Sequence, residues 1–141
     1  TTELRPGLLD DFGLPAALEW QAQEFMEGTG VLPEYHGTAE LALDRDPATA
    51  LFRIVQEALD NVAWHAQASE VAIMLEVFDD HLRLEVRDNG RGITTGMLSS
   101  SKSLGLLGMR ERARQLGGDL EIKQRAGGGT QVIIRAPLAK P

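Results

Sequence analysis

The stretch from Glu57 to Gly92, read with the glycine-rich Gly105–Gly108 that follows it, limits what this chain can fold into more than any other. Leu51–Ala66 (LFRIVQEALDNVAWHA) repeats apolar residues at helical spacing through Leu51, Ile54, Val55, Ala58, Leu59 and Val62. Glu57, Asn61 and His65 follow at four-residue steps, each about 40° further round an α-helix, so they share one polar stripe beside the apolar face. Further on, Leu82–Ile93 (LRLEVRDNGRGI) alternates Leu82, Leu84 and Val86, then runs into Asp88, Gly90 and Gly92. A strand, an acid and then Gly-x-Gly place a carboxylate and bare backbone at the end of a sheet. Together the two halves read as a nucleotide site.

The remaining segments fit around that core. Leu4–Asp11 reads as a connector punctuated by Pro6 and Gly7. The pattern predicts a helix over Gly13–Gly28, with Pro15 in its first turn and Ala17, Leu18, Ala22, Phe25 and Met26 facing inward. Val31–His36 reads as a short strand, and Pro33 favours an edge position for it. A second extended piece is expected at Leu41–Leu43. Asp46 is expected to cap the central helix, with Pro47 at its first position and its end near Ala66. Val71–Phe78 and His81–Asp88 form an expected hairpin about Asp79–Asp80. Thr94–Leu104, rich in Ser, Thr and Gly, has no period and reads as a mobile loop beside the site. Gly105–Leu116 returns to helical period and stops at Gly117–Gly118. Asp119–Gln124 and Thr130–Ala136 close the chain as a hairpin across Gly127–Gly129. Strands come in pairs instead of alternating with helices, so the expected class is an α+β two-layer sandwich, its sheet mostly antiparallel and its helices on one face.

Bulk properties narrow the function classes. At 141 residues the chain is expected to be one domain with a sizeable core. It has no cysteine, which excludes disulfides, thiolate nucleophiles and cysteine-based zinc sites. The lack of cysteine is compatible with a cytoplasmic setting, either of a free protein or of the cytoplasmic part of a membrane-bound one. No apolar run approaches the roughly 20 residues that span a bilayer and no basic-then-apolar signal opens the chain, so direct membrane contact is not expected. A start at Thr1 suggests a fragment of something longer. The net charge is −7 and the basic residues form no stripe, which argues against nucleic acid as a partner. An acidic protein that binds an anionic nucleotide needs local devices: a metal ion, backbone N–H groups and helix N-termini.

The chemistry-bearing residues each have two readings. Glu57 and Asn61 suit a Mg²⁺ ion, which prefers oxygen ligands and shares its shell with water and phosphates, with Glu57 as a base one turn away. They equally suit the solvated face of an amphipathic helix. Asp88-Asn-Gly is good turn chemistry, and Asp88 is also an acceptor for an amino group such as that of adenine, with Gly90 and Gly92 letting a base lie against backbone. It is neither a dinucleotide fingerprint nor a P-loop. Gly105–Gly108 at a helix start offers N–H groups and a positive dipole end to phosphate. Ser99–Lys102 formally matches Ser-x-x-Lys without that family's partner motifs, although Lys102 could reach a phosphate as a point charge. His36 and His81 read as surface residues, and Trp20, Trp64 and the four Phe as core or packing residues.

Taken in order, these motifs resemble those of a known family. Glu57-Ala-Leu-Asp-Asn61 resembles the N box of sensor histidine kinases. Asp88-Asn-Gly-Arg-Gly92 is similar to their first glycine box and Gly105-Leu-Leu-Gly-Met-Arg-Glu-Arg112 to their second. The second box, Leu116-Gly-Gly118 and Gly128-Gly-Thr130 resemble the nitrate/nitrite-sensor subfamily, as does Leu4-Arg-Pro6 with Leu9-Asp-Asp-Phe-Gly13-Leu and Ala17-Leu18. The likeness covers nearly the whole chain.

The resemblance implies a Bergerat ATP-binding fold and the cofactors ATP and Mg²⁺. It implies a connector over residues 1–12, an ATPase domain over 13–141 and an ATP lid at about 93–108. Asn61 would hold Mg²⁺ and Glu57 would assist proton removal, while His65 would wall the pocket. Asp88 would read adenine, with Gly90, Gly92 and Ile93 lining the nucleotide and Thr130 supporting the adenine pocket. Lys102, Gly105, Leu106, Leu107 and Gly108 would serve the lid and the phosphates. The implied activity is transfer of the ATP γ-phosphoryl to a histidine on a separate dimerisation domain, with a response regulator downstream. The full-length protein would be a homodimer and possess that phosphoacceptor helix; this fragment lacks it, and is expected to be monomeric and not to autophosphorylate alone. Trp64 departs from the subfamily, which usually has a basic residue there. An anti-sigma-type serine kinase and a non-catalytic nucleotide-sensing module are the alternatives.

Overall fold

A computed structural model describes residues 7–92 and 105–138, the side chains of residues 65 and 66 excepted. Its central element is α3 (Arg45–Asn61), preceded by α1 (Gly7–Phe12), α2 (Leu14–Thr29) and β1 (Glu34–Gly37). After α3 come a π-helical turn (Val62–Ala66), β2 (Val71–Val77) and β3 (His81–Asp88). The last elements are α4 (Leu106–Gln115), β4 (Asp119–Gln124) and β5 (Thr130–Pro137).

The five strands make one sheet in the order β1-β2-β3-β5-β4, in which only the β1–β2 pair is parallel. Alternation along the strands decides which face each residue takes. Register sets Ile73 opposite Val86, Val86 opposite Val132 and Val132 opposite Ile122. Leu75, Leu84 and Ile134 form the next row, with Leu120 beyond them. This face joins the buried side of α3 (Leu51, Phe52, Ile54, Val55, Ala58 and Leu59) and Leu14, Leu18 and Met109 in one core. The helices therefore cover one face, and the expected two-layer sandwich is what forms.

The other face is polar. Its centre is Glu85, fully buried by the side chains around it. Arg87 Nε and Gln131 Nε2 donate to Glu85 Oε2 at 2.9 and 2.8 Å. Arg83 Nη1 lies 2.8 Å from Oε1 as an ion pair, at an angle too poor for a hydrogen bond. Burial pushes the Glu85 carboxyl up, but the bonds from Arg87 and Gln131 and the contact with Arg83 outweigh it and the net direction is down.

Several local expectations are corrected. Much of the expected connector is helix α1, because Leu9 buries against the core while Gly13, at φ 91°, separates α1 from α2. Helix α2 ends one residue past Gly28, where Gly30 at φ 84° takes the left-handed cap and donates to the Met26 carbonyl at 2.7 Å. Leu41–Leu43 finds no strand to pair with; Leu41 and Leu43 pack on the core instead. Asp44, not Asp46, is the N-cap of α3, through its backbone carbonyl, which accepts from Ala48 at 3.1 Å. That helix leaves α geometry at Asn61, five residues before Ala66, and Gln67 closes the π turn at φ 54°. Among the aromatics only Phe25 and Phe52 are core; Phe12, Trp64 and Phe78 are exposed and Trp20 is on the margin. Trp64 follows buried Val62 by two residues, which turns it roughly to the far side of the helix. The expected loop Thr94–Leu104 lies outside the described residues.

Candidate functional site

The topology gathers the motif residues at one end of the sandwich. Val71 at the start of β2 is registered with Asp88 at the end of β3, and β5 begins alongside at Thr130. The π-helical turn and residues 67–70 lead from the end of α3 to the start of β2, so Glu57 and Asn61 stand at the same end. Asn89 fastens this junction: its Oδ1 accepts from the Ser69 and Glu70 N–H groups, both at 2.9 Å, and its Nδ2 donates to Ser69 Oγ at 3.0 Å.

Glu57 and Asn61 are half-buried on adjacent turns of α3. Helix α4 starts directly against Glu57. Gly105 is its N-cap at φ 65°, and a Cβ added there would run into the Glu57 carboxyl group. No side chain caps α4, so the N–H groups of Leu106, Leu107 and Gly108 begin the helix without helical partners. Leu106 is buried and Leu107 is largely exposed. Burial raises the Glu57 carboxyl above its ordinary 4.5, the charge of Asp60 adds to this, and Arg112 opposes it. Arg112 also approaches Gly108, with its Nη1 3.3 Å from where a Cβ would stand. A carboxyl with raised proton affinity, an amide and a positive helix end thus share one corner.

Asp88 is only 3% exposed. Its Oδ1 accepts from the Gly90 N–H at 2.8 Å, and the Thr130 N–H also donates to the carboxylate. Burial raises its pKa, while these two donors and the charge of Arg125 counteract that. Both readings of Asp-Asn-Gly are therefore compatible here: the carboxylate organises its own turn and remains a buried acceptor. The glycines give close backbone approach. Gly129, at φ 105°, touches the Asp88 carbonyl so tightly that a Cβ would overlap its oxygen, and one on Gly92 would lie 3.3 Å from the Gly129 carbonyl oxygen.

Glu57, Asn61, Asp88, Gly90, Gly92, Gly105–Gly108 and Thr130 are thus brought to one end of the fold. Ile93, Lys102 and the His65 side chain lie outside the described residues. The stripe from Glu57 through His65 assumed α geometry, which ends at Asn61. Sequence reasoning missed Asn89, whose role depends on a residue 20 positions away. It also missed Arg125, which carries no motif signal, and gave no role to Arg112, although that residue closes the second glycine-box motif. Among the described residues no group of three His, Cys, Asp or Glu could hold a metal ion. An ion here would have to share its shell with a ligand's oxygens.

A two-layer sandwich with a buried acid at a strand end and an uncapped helix start at one corner belongs to the ATP-binding class. The family description "Histidine kinase-, DNA gyrase B-, and HSP90-like ATPase" matches residues 46–140, and the chain belongs to that family. It is 34% identical over 139 residues to the oxygen sensor histidine kinase NreB of Staphylococcus carnosus (strain TM300), covering 98% of this chain and 40% of that protein. It is 38% identical over 135 residues to the sensor histidine kinase LiaS of Bacillus subtilis (strain 168), covering 96% and 37%. The blue-light activated histidine kinase of Erythrobacter litoralis EL346 superposes with a TM-score of 0.74 at 26% identity, over 89% of this chain and 42% of that one. The chain spans about two fifths of the length of the curated relatives it matches.

Proposed function

We propose that this domain binds Mg·ATP and donates the γ-phosphoryl group to a histidine on a dimerisation domain of a larger, homodimeric sensor kinase. The observation that carries this is the packing of the uncapped start of α4 against Glu57, at the same end of the sheet as buried Asp88. The likeness to sensor histidine kinases supplies the acceptor.

Asp88 would accept the exocyclic amine of adenine, with Gly90 and Gly92 against the base and Thr130 behind it. The N–H groups of Leu106, Leu107 and Gly108 would face the phosphates, with Lys102 and Ile93 contributing from the segment before them and His65 from the pocket wall. Asn61 would hold Mg²⁺ through its amide oxygen, a donor type that fits a hard ion sharing its shell with phosphate oxygens. The ion would offset the charge of the phosphate oxygens. Glu57, whose raised pKa suits exchange of a proton nearer neutrality, would take a proton from the incoming imidazole or orient it. Catalysis here is chiefly positioning and electrostatics. A response regulator would receive the phosphoryl group next, and an ATP substrate points to the cytoplasm. The first 12 residues would lead from the dimerisation domain, and the lid would span about 93–108.

The test is transfer from γ-labelled ATP to a separately prepared phosphoacceptor domain of the full-length protein. An acid-labile phosphoryl product that depends on Mg²⁺ and vanishes in Asn61→Ala is expected. An acid-stable product would identify a serine kinase, and adenine nucleotide binding without any transfer would identify a sensing module.

A further inference from the structure

The turn between β4 and β5 sits directly on the loop that follows Asp88, and one side chain crosses between them. Arg125 Nη1 donates to the Asp88 main-chain carbonyl at 2.8 Å, across 37 positions of sequence. The backbone of Arg125 is itself tied at both ends of its turn. Its N–H donates to the Gly129 carbonyl at 2.9 Å and its carbonyl accepts from Gly128 at 3.1 Å. Gly129 in turn is in contact with the Asp88 carbonyl, at a distance that admits no side chain. The guanidinium is half-buried. It springs from a constrained turn onto the peptide unit that bears the Asp88 side chain.

We infer that Arg125 is a positioning residue for adenine recognition, fixing the Asp88 peptide so that the Asp88 carboxylate meets the base at a set height and angle. This rests on the reading of Asp88 as the adenine acceptor. The Gly90 bond to the carboxylate is local, since it comes from the same loop and moves with it. The Asp88 peptide is held from two sides: on the β2 side the Asn89 N–H donates to the Glu70 carbonyl at 3.2 Å, and on the β4–β5 side Arg125 and Thr130 reach Asp88 itself, its carbonyl and its carboxylate. A hydrogen bond from a charged donor is the stronger kind. Arg125 also brings positive charge beside a buried carboxylate, which favours the acceptor-only form needed to take a bond from an amine. No motif marks Arg125: it is a single basic residue before a glycine turn, and only the hairpin's fold against β3 gives it a partner.

The experiment is calorimetric titration of the protein and its variants with ADP and with inosine diphosphate, which has a carbonyl where adenine has the amine. Arg125→Ala should weaken ADP about five- to tenfold, in the range of one net hydrogen bond, and inosine diphosphate less than about twofold. Arg125→Lys, which keeps charge without the forked geometry, should fall between. In an Asp88→Asn background, Arg125→Ala should change ADP affinity by less than about twofold, because the acceptor it positions is gone. A purely structural role would lower the melting temperature and weaken both nucleotides alike, and that result overturns the inference. So does an undiminished loss in the Asp88→Asn background. Equal affinity of the unsubstituted protein for the two nucleotides would overturn the reading of Asp88, and this inference with it. A clear preference for ADP that Arg125→Ala leaves intact would overturn the role of Arg125 alone.

Discussion

Replacing Gly105 by alanine tests the corner between α3 and α4 without assuming any ligand. Gly105 adopts φ 65°, in the left-handed region, where an L-residue costs about 1–2 kcal/mol. The new Cβ would also collide with the Glu57 carboxyl group and press on Cγ at 2.7 Å. Glu57 can rotate away, and an off-rotamer side chain adds about 1 kcal/mol. The sum is about 2–3 kcal/mol, and a chain of this size loses about 3–5 °C of melting temperature per kcal/mol, so a drop of about 6–15 °C is expected. Gly108→Ala is the control, three residues on. Its φ is not in the left-handed region, and its Cβ would meet only the flexible end of Arg112 at 3.3 Å. Alanine improves helix propensity by about 1 kcal/mol, so Gly108→Ala should be neutral or slightly stabilising. Thermal melts followed by circular dichroism, without nucleotide, decide the matter. A Gly105→Ala melt within about 2 °C of the parent, or a larger loss in Gly108→Ala, would refute the argued packing.

Further expectations concern the core and the buried acids. Phe52, fully buried on α3, should cost about 3–5 kcal/mol as alanine, measured by urea denaturation of the soluble fraction. Glu85→Gln should destabilise at neutral pH by about 1–3 kcal/mol, the lower end being expected because Arg83 and Arg87 can turn to water. Since the folded protein lowers the Glu85 pKa, its contribution is present above the ordinary 4.5 and lost as pH falls through the folded value; a Glu85→Gln melt profile that keeps the parent's acid-side decline would contradict this. Glu57 behaves oppositely. Its raised pKa means that its contribution is complete below 4.5 and declines as pH rises through the folded value, so Glu57→Gln should gain on the parent between pH 4 and neutrality, as read from melts across that range.

The class of fold, the order of its main elements from α2 onward and the end of the sheet where the motif residues gather were legible in the sequence, because each rests on short-range chemistry. The period of Leu51–Val62, the alternation of Leu82–Val86 and the glycine stop at Gly117 depend on neighbours a few positions apart. So does the placement of Glu57 and Asn61 on one face, since one helix turn separates them. The end of α3 was not legible: apolar spacing continues through Val62, and nothing in VAWHA marks a change from α to π geometry. Helix α1 was hidden because a helix of fewer than two turns has no period to read, and it forms only where Leu9 finds the surfaces of α2 and α3.

What the sequence determined by itself was therefore the local conformations and the kinds of chemical group the site could contain. The tertiary structure alone decided how those groups act on one another. Gly105 is a helix start in the sequence and becomes a contact with Glu57 only when α4 packs on α3. Asn89 and Arg125 are a turn residue and a lone cation until β2, β3 and β5 pair. Burial and the partners it brings then set the direction of each carboxyl's pKa: Glu57 and Asp88 lose water without full compensation and rise, whereas Glu85 loses water between two hydrogen-bond donors and an ion pair and falls. Desolvation and partners separated by tens of residues are properties of the packed chain, so no local pattern encodes them.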